Sequence, residues 1–136
     1  MQSIFQITLL VPDYDQAIGF YYGKLGFEII EDTRIDDSHR WVVIGVNGGC
    51  NLVLATPENA EQVAVVGQQV GGRVGFFLAT DDIHRDFALY KNQEVEFIQN
   101  PTRLPHGTVA IFKDPFGNSW DLIELPHDHR AALESG

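Results

Sequence analysis

The feature that most constrains the fold is a repeated order of strand, helix and three strands. In the first half, "IFQITLLV" has the β-branched and apolar residues of a strand, a segment with apolar residues at helical spacing follows, and three strand patterns end at "NLVLA". The second half runs from "VGFFLAT" through "IHRDFALYKNQ" to "SWDLIEL" in the same order. The repeat lies in the order of elements more than in shared letters, and it predicts a duplicated βαβββ unit.

The repeat predicts an α+β fold, because each unit contributes one helix and four strands. Capping residues support the expected boundaries of the two helices. Asp13 precedes the first helical segment as an N-cap, and either Asp81 or Asp82 does so for the second. Gly26 suits the end of the first helix. We expect one domain over 1–136, divided as follows: unit one at about 4–56, a linker at 57–72, unit two at about 73–125, and a polar tail at 126–136.

Composition excludes several classes of partner. The formal net charge of −10 argues against binding to nucleic acid, which needs clustered Lys and Arg to neutralise phosphates. No apolar run approaches the roughly 20 residues of a membrane span, and the N-terminus lacks the basic and apolar regions of a signal peptide. Cys50 is the only cysteine, so no disulfide forms within the chain. We therefore expect a cytoplasmic protein with no membrane or nucleic-acid partner.

Two motifs carry a resemblance to a known family. With "VPDYDQAIGFYYGKLGFE" in the first unit and "DPFGNSWDLIE" in the second, residues 4–125 resemble the vicinal oxygen chelate superfamily, which includes glyoxalase I, bleomycin resistance proteins and extradiol dioxygenases. The resemblance implies curled mixed sheets that form a cup for a small ligand, with helices outside. It leaves the reaction open, because the superfamily contains lyases, isomerases, oxygenases, transferases and binding proteins.

The resemblance also places four metal-ligand positions of the family, on Gln6, Val53, Gly75 and Asp121. Val53 and Gly75 have no side-chain donor atoms, so Gln6 and Asp121 are the two candidate metal ligands. A catalytic zinc takes three protein ligands and keeps one position open. We therefore expect no tightly bound metal and no other cofactor. A weakly held divalent metal at Gln6 and Asp121 is the alternative.

Asp121 is the candidate catalytic residue, because it is a carboxylate within an apolar strand pattern. Desolvation would raise its pKa and suit it to proton transfer as a general base. Three other roles stay open: ligand to a weak metal, anchor for a cationic or hydroxyl-bearing molecule, or a residue that only hydrogen-bonds Gln6, Ser119 or water. His106 is expected at the rim of the cup, either acting on a ligand or simply exposed.

Residues on a strand alternate between two faces, so one parity would line the cup and the other would pack beneath the helices. The predicted ligand-binding residues are Gln6, Thr8, Trp41, Val53, Phe77, Phe112 and Ser119. The predicted core residues are Phe5, Ile7, Leu9, Val74, Phe76, Leu78, Trp120 and Leu122.

The function expected from these features is binding of a small organic molecule without a glyoxalase-type metal site. A divergent metal-assisted lyase or isomerase with Asp121 as base or ligand is one alternative. A non-catalytic module that recognises a partner protein, with the cup filled by Phe77 and Phe112, is another. The resemblance allows two assemblies, in which the cup is completed within one chain or between the chains of a homodimer.

Overall fold

The computed structural model describes residues 1–126, so all but the first residue of the predicted tail at 126–136 lies outside the described residues. The chain divides into two compact units, Met1–Gly71 and Gly72–Gly136. Each unit contains one four-stranded mixed sheet and a helix that follows its first strand. The prediction of an α+β fold with two tandem βαβββ units is confirmed. None of the helices in the described part of the chain is long and apolar enough to cross a membrane.

Unit 1 builds its sheet in the order β1-β4-β3-β2, with β1 parallel to β4 and the other neighbours antiparallel. A parallel pair needs a long crossover, which α1 and the two intervening strands supply. The elements are β1 (Gln6–Leu10), α1 (Tyr14–Tyr21), β2 (Glu28–Arg34), β3 (Arg40–Gly45) and β4 (Asn51–Ala55), followed by the short helix α2 (Ala60–Val65).

Unit 2 repeats this topology with the order β5-β8-β7-β6 and a parallel β5–β8 pair. Register shifts interrupt the β5–β8 pair near its start and the β6–β7 pair at two places. The elements are β5 (Val74–Ala79), α3 (Ile83–Asn92), β6 (Glu96–Leu104), β7 (Gly107–Lys113) and β8 (Ser119–Glu124).

Both long helices begin at an aspartate whose carboxylate accepts a hydrogen bond from a backbone N–H of the first turn. Asp13 accepts from Gln16 at 2.8 Å, and Asp82 accepts from Arg85 at 3.0 Å. Each cap satisfies an N–H group that has no partner within the helix. After α1 the chain turns at Gly26, whose φ of +80° falls in the left-handed region that glycine adopts without strain.

The "DPFGN" motif forms a tight turn between β7 and β8, organised by the buried Asp114. Its Oδ1 accepts hydrogen bonds from the backbone N–H groups of Phe116 at 2.9 Å and Asn118 at 2.8 Å. Its Oδ2 accepts from Asn118 Nδ2 at 2.7 Å, and its own N–H donates to the Asn118 carbonyl at 3.0 Å. These bonds fix the turn, and the turn fixes how β7 pairs with β8.

The segment after β4 is held against β1 by one side chain. The Gln69 amide accepts a hydrogen bond from the Leu10 N–H at 2.9 Å and donates to the Thr8 carbonyl at 2.9 Å. β1 lies at the edge of its sheet, where backbone groups have no strand partner on one side. Gln69 therefore satisfies two edge groups and fixes the end of the connection.

One face of each sheet is covered by its helix and forms the core of that unit. In unit 1, α1 packs on β3 and β4. In unit 2, α3 packs on β6, β7 and β8. The strand residues buried in these two cores include Leu9, Val42, Ile44, Leu54, Phe76, Phe112, Trp120 and Leu122.

Phe112 corrects one sequence-based expectation, because it lies in the core of unit 2 and not with the predicted ligand-binding residues. It is 0% exposed, pairs in register with Trp120, and stacks on that ring at a centroid separation of 5.8 Å. Tyr90 of α3 meets its edge at 5.8 Å. Its ring therefore packs beneath the helix.

Two of the predicted core residues, both near the start of β1, are exposed. Phe5 is 70% exposed and Ile7 is 41% exposed, whereas Leu9 is fully buried. Alternation places Ile7 and Leu9 on the same face of the strand. Their difference in exposure therefore depends on how far along β1 that face is covered.

We expect Phe112→Ala to lower the free energy of unfolding by about 3–5 kcal/mol, because it leaves a cavity among aromatic rings. Phe77→Ala is the matched control, since Phe77 is 67% exposed on β5 of the same sheet. Urea denaturation of both variants measures the difference. Equal losses in the two variants would contradict the assignment of Phe112 to the core.

Candidate functional site

The face of the unit 1 sheet opposite its core carries four of the predicted ligand-binding residues. Gln6 and Thr8 of β1 pair in register with Asn51 and Val53 of β4. Val53 also pairs with a residue of β3, Val43. Trp41 lies two residues before Val43 on β3 and therefore shares its face. We call Gln6, Thr8, Trp41, Val43, Asn51 and Val53 the site face of unit 1.

The corresponding face of unit 2 is arranged around Asp121. Across the sheet, Asp121 pairs with Phe77 of β5 on one side and with Ile111 of β7 on the other. Ser119 lies two residues before Asp121 on the same face and pairs with Lys113. We call Phe77, Ile111, Lys113, Ser119 and Asp121 the site face of unit 2.

The pKa of the Asp121 carboxyl is raised above its ordinary value. Desolvation is the main cause, because the half-buried carboxylate has an apolar side chain on each neighbouring strand, and the charge of His106 partly offsets it. Among the described residues of unit 2, the carboxylate makes no hydrogen bond, including to Ser119. Asp121 is thus a carboxylate whose ionised form is incompletely compensated by its surroundings.

The sequence analysis missed one residue of the unit 1 site face and underrated one residue that acts on the unit 2 site face. Asn51 was not a candidate, although its pairing with Gln6 places two carboxamides side by side. His106 was predicted only at a rim, and its electrostatic effect on Asp121 links it to the site face of unit 2. No local pattern marks either residue, because each relation depends on how separate strands are aligned.

The donor set does not fit a catalytic zinc of the kind that takes three protein ligands. Of the positions tied to the family's metal, unit 1 has Gln6 and Val53 and unit 2 has Gly75 and Asp121, so each unit supplies one side-chain donor. In the described part of the chain, no group of three or more His, Cys, Asp or Glu side chains could hold a metal ion.

A charged cluster elsewhere in unit 1 is explained by local structure. Arg40 donates to Asp32 at 2.7 Å and to Asp15 of α1 at 2.8 Å, and its guanidinium lies 5.4 Å from the centre of the Tyr14 ring. The hydrogen bonds to Asp32 and Asp15 raise the pKa of Arg40. These contacts tie α1 to the sheet and leave no reactive group for chemistry.

A second polar cluster orders the β2–β3 hairpin. The Asp36 carboxylate accepts hydrogen bonds from the backbone N–H groups of Ser38 and His39, each at 2.9 Å. The bond from Ser38, followed by that of the His39 ring, lowers the pKa of Asp36 to about 2. The role of this cluster is to close the turn.

Comparison with known proteins agrees with these observations. Residues 3–122 match the family model of the Glyoxalase/Bleomycin resistance protein/Dioxygenase superfamily. The chain belongs to this superfamily. An uncharacterized superfamily relative from Shewanella frigidimarina (strain NCIMB 400) is 46% identical over 127 residues, covering 91% of this chain and 94% of that protein. YurT of Bacillus subtilis (strain 168) is 27% identical over 124 residues, covering 86% of this chain and 94% of YurT.

Solved structures of other proteins are also similar to this chain. UcmS2 has a TM-score of 0.77 at 30% identity, covering 90% of this chain and 98% of UcmS2. TnmS3 from Streptomyces sp. CB03234, described as an antibiotic binding protein, has a TM-score of 0.75 at 26% identity, covering 93% of this chain and 98% of TnmS3. The superfamily fold therefore holds over nearly the whole chain.

The raised pKa of Asp121 predicts a pH-dependent cost to stability. Between the ordinary and the raised pKa, the folded chain retains a proton that the unfolded chain has released. Stability therefore falls as pH rises through that window and stays lower above it. We expect Asp121→Asn to raise the melting temperature at pH 7, with the gain shrinking below about pH 4, the ordinary range of an aspartate pKa.

Thermal unfolding between pH 3 and pH 8 measures this effect. The exposed loop residue Asp37 gives the control, Asp37→Asn, which should show no such dependence. An Asp121→Asn variant that is less stable than the parent at pH 7 would show that the carboxylate is well compensated in the folded chain.

Proposed function

We propose that this protein binds a small organic molecule on the site faces of its sheets, without a tight metal site of the glyoxalase type. The observation that carries the proposal is the pairing of Phe77 with Asp121. A large aromatic side chain that is 67% exposed lies beside a carboxyl group whose pKa is raised by desolvation. Apolar or aromatic surface with a few fixed polar groups is the usual composition of small-molecule sites.

Family membership supports binding more than any one reaction. TnmS3 is described as an antibiotic binding protein and is 26% identical to this chain. The sparse donor set argues in the same direction, because metal-dependent superfamily chemistry needs more ligands than Gln6 and Asp121 supply. Binding of a ligand requires only the apolar surface of the site faces and the polar side chains on them.

A metal-assisted lyase or isomerase is the second candidate, and the state of Asp121 favours it. A carboxyl group with a raised pKa is suited to removing a proton from carbon next to a carbonyl. In this reading Asp121 is the base or a ligand to a weak divalent metal, and Gln6 of unit 1 is the other residue predicted as a metal ligand. Turnover would then be lost in Asp121→Asn and in the presence of a chelator.

The proposal also covers the location of the protein in the cell, its partners and its oligomeric assembly. The single cysteine favours a cytoplasmic protein, and the net charge of −10 disfavours nucleic acid as a partner. The small-molecule ligand is the expected partner, and the family resemblance allows a homodimer.

A thermal-shift screen tests the binding proposal. A panel of flat aromatic metabolites and antibiotics should contain compounds that raise the melting temperature, and a ligand at a hundredfold its Kd adds about 2.7 kcal/mol to stability. The shift should persist in EDTA. A shift that disappears with EDTA and returns with a divalent metal would favour the enzyme candidate. A panel in which no compound stabilises the protein would contradict both.

A further inference from the structure

Two carboxamides lie next to each other at the start of the β1–β4 pair. Gln6 and Asn51 are register partners on parallel strands, so their side chains project from the same face with backbones about 4.8 Å apart. Both side chains are half-buried, and neither amide is hydrogen-bonded to another residue in the described part of the chain. Such a pair retains its full hydrogen-bonding capacity for a ligand.

Gly45 makes the room that the Asn51 amide occupies. A Cβ built at position 45 would overlap Asn51 Oδ1 and would lie 3.3 Å from Ile30 Cγ1. The Asn51 amide therefore lies over the backbone of β3 at the one position where β3 has no side chain. The close approach to Gly45 therefore restricts the position of the Asn51 amide more than the pairing of Asn51 with Gln6 alone would.

Beyond the pair, the same face becomes more apolar. The next register pair on this face is Thr8–Val53, and across the sheet Val53 pairs with the buried Val43. The carboxamides thus form one polar end of a face that continues past a hydroxyl group to apolar side chains. A flat molecule lying along this face would place one polar edge against Gln6 and Asn51.

The chemistry of the pair specifies that edge. Each carboxamide offers two donors and an acceptor with no charge, and Asn and Gln bind most selectively to groups that present a donor beside an acceptor. An anionic edge is disfavoured, because the strand residue paired with Gly45 is Glu28 and the site face of unit 1 contains no Lys or Arg. We propose that Gln6 and Asn51 form a subsite that recognises the lactam or carboxamide edge of a flat neutral ligand.

This inference rests on the proposed small-molecule function and narrows it. The test compares 2-quinolone, a flat lactam, with quinoline, which has nearly the same shape but no N–H beside a carbonyl. Titration of ¹⁵N-labelled protein reports the affinity and the side-chain NH₂ signals of Gln6 and Asn51. We expect both NH₂ signals to shift with 2-quinolone and its Kd to be about tenfold lower than that of quinoline, the discrimination typical of a two-point hydrogen bond.

Two variants and one control complete the test. Asn51→Leu removes the amide at similar volume, and Gly45→Ala displaces it while leaving Asn51 in the sequence. Because the overlap is with the end of a flexible side chain, Gly45→Ala should still fold. Both variants should reduce the preference for 2-quinolone to less than about twofold. Gly19→Ala, where an added Cβ meets no atom within 4 Å, should retain it.

The outcomes separate this inference from the function on which it rests. Discrimination that survives in Asn51→Leu, equal affinity for the two compounds, or no binding of either one overturns the lactam subsite. If the thermal-shift panel still contains stabilising compounds, the binding function stands and only the subsite is wrong. If that panel is also empty, both proposals fail together.

Discussion

The parallel pairing of the first and last strands of each unit is the constraint on which the other features depend. Parallel strands cannot be joined by a tight turn, so the chain between them must supply a crossover, and here the crossover includes the helix that covers one sheet face. Once that face is buried, alternation assigns every other residue of these strands to the opposite face. Register then decides which of those residues become neighbours, as with Asp121 beside Phe77.

Two aspartates within eight residues show how much the surroundings of a carboxylate matter. Asp114 is 4% exposed, and the turn it organises gives its carboxylate three hydrogen bonds, which compensate the charge removed from water. Asp121 is less buried, but its neighbours on the adjacent strands are Phe77 and Ile111, and its pKa is raised. The structural role of Asp114 in this turn accounts for a buried carboxylate at that position. The Asp121 carboxylate is less fully compensated, and raised carboxyl pKa values of this kind cluster at functional sites.

The sequence was sufficient for the repeat and for the Asp13 cap, and it narrowed the second cap to Asp81 or Asp82. It failed where alternation is weak. Consecutive buried residues, Val109 and Ala110, interrupt the pattern of β7, so the face of Phe112 depends on the turn that sets Lys113 opposite Ser119. Asn51 was missed for a related reason. Its importance comes from its register with Gln6 and from a glycine on another strand, and neither relation is local in sequence.

The two units retain one topology while their site faces differ in chemistry. On the site face of unit 1 the polar group is a pair of neutral carboxamides, whose hydrogen bonding does not change with pH. On the site face of unit 2 it is a carboxyl group whose pKa is shifted toward neutrality, with His106 as its electrostatic partner. Because the fold places equivalent strands in both units, the difference lies in the side chains and in register shifts that are not the same in the two sheets. If the proposed binding function holds, unit 1 would select a ligand by the geometry of its hydrogen bonds, whereas unit 2 would select a ligand by its charge and by the pH at which it binds.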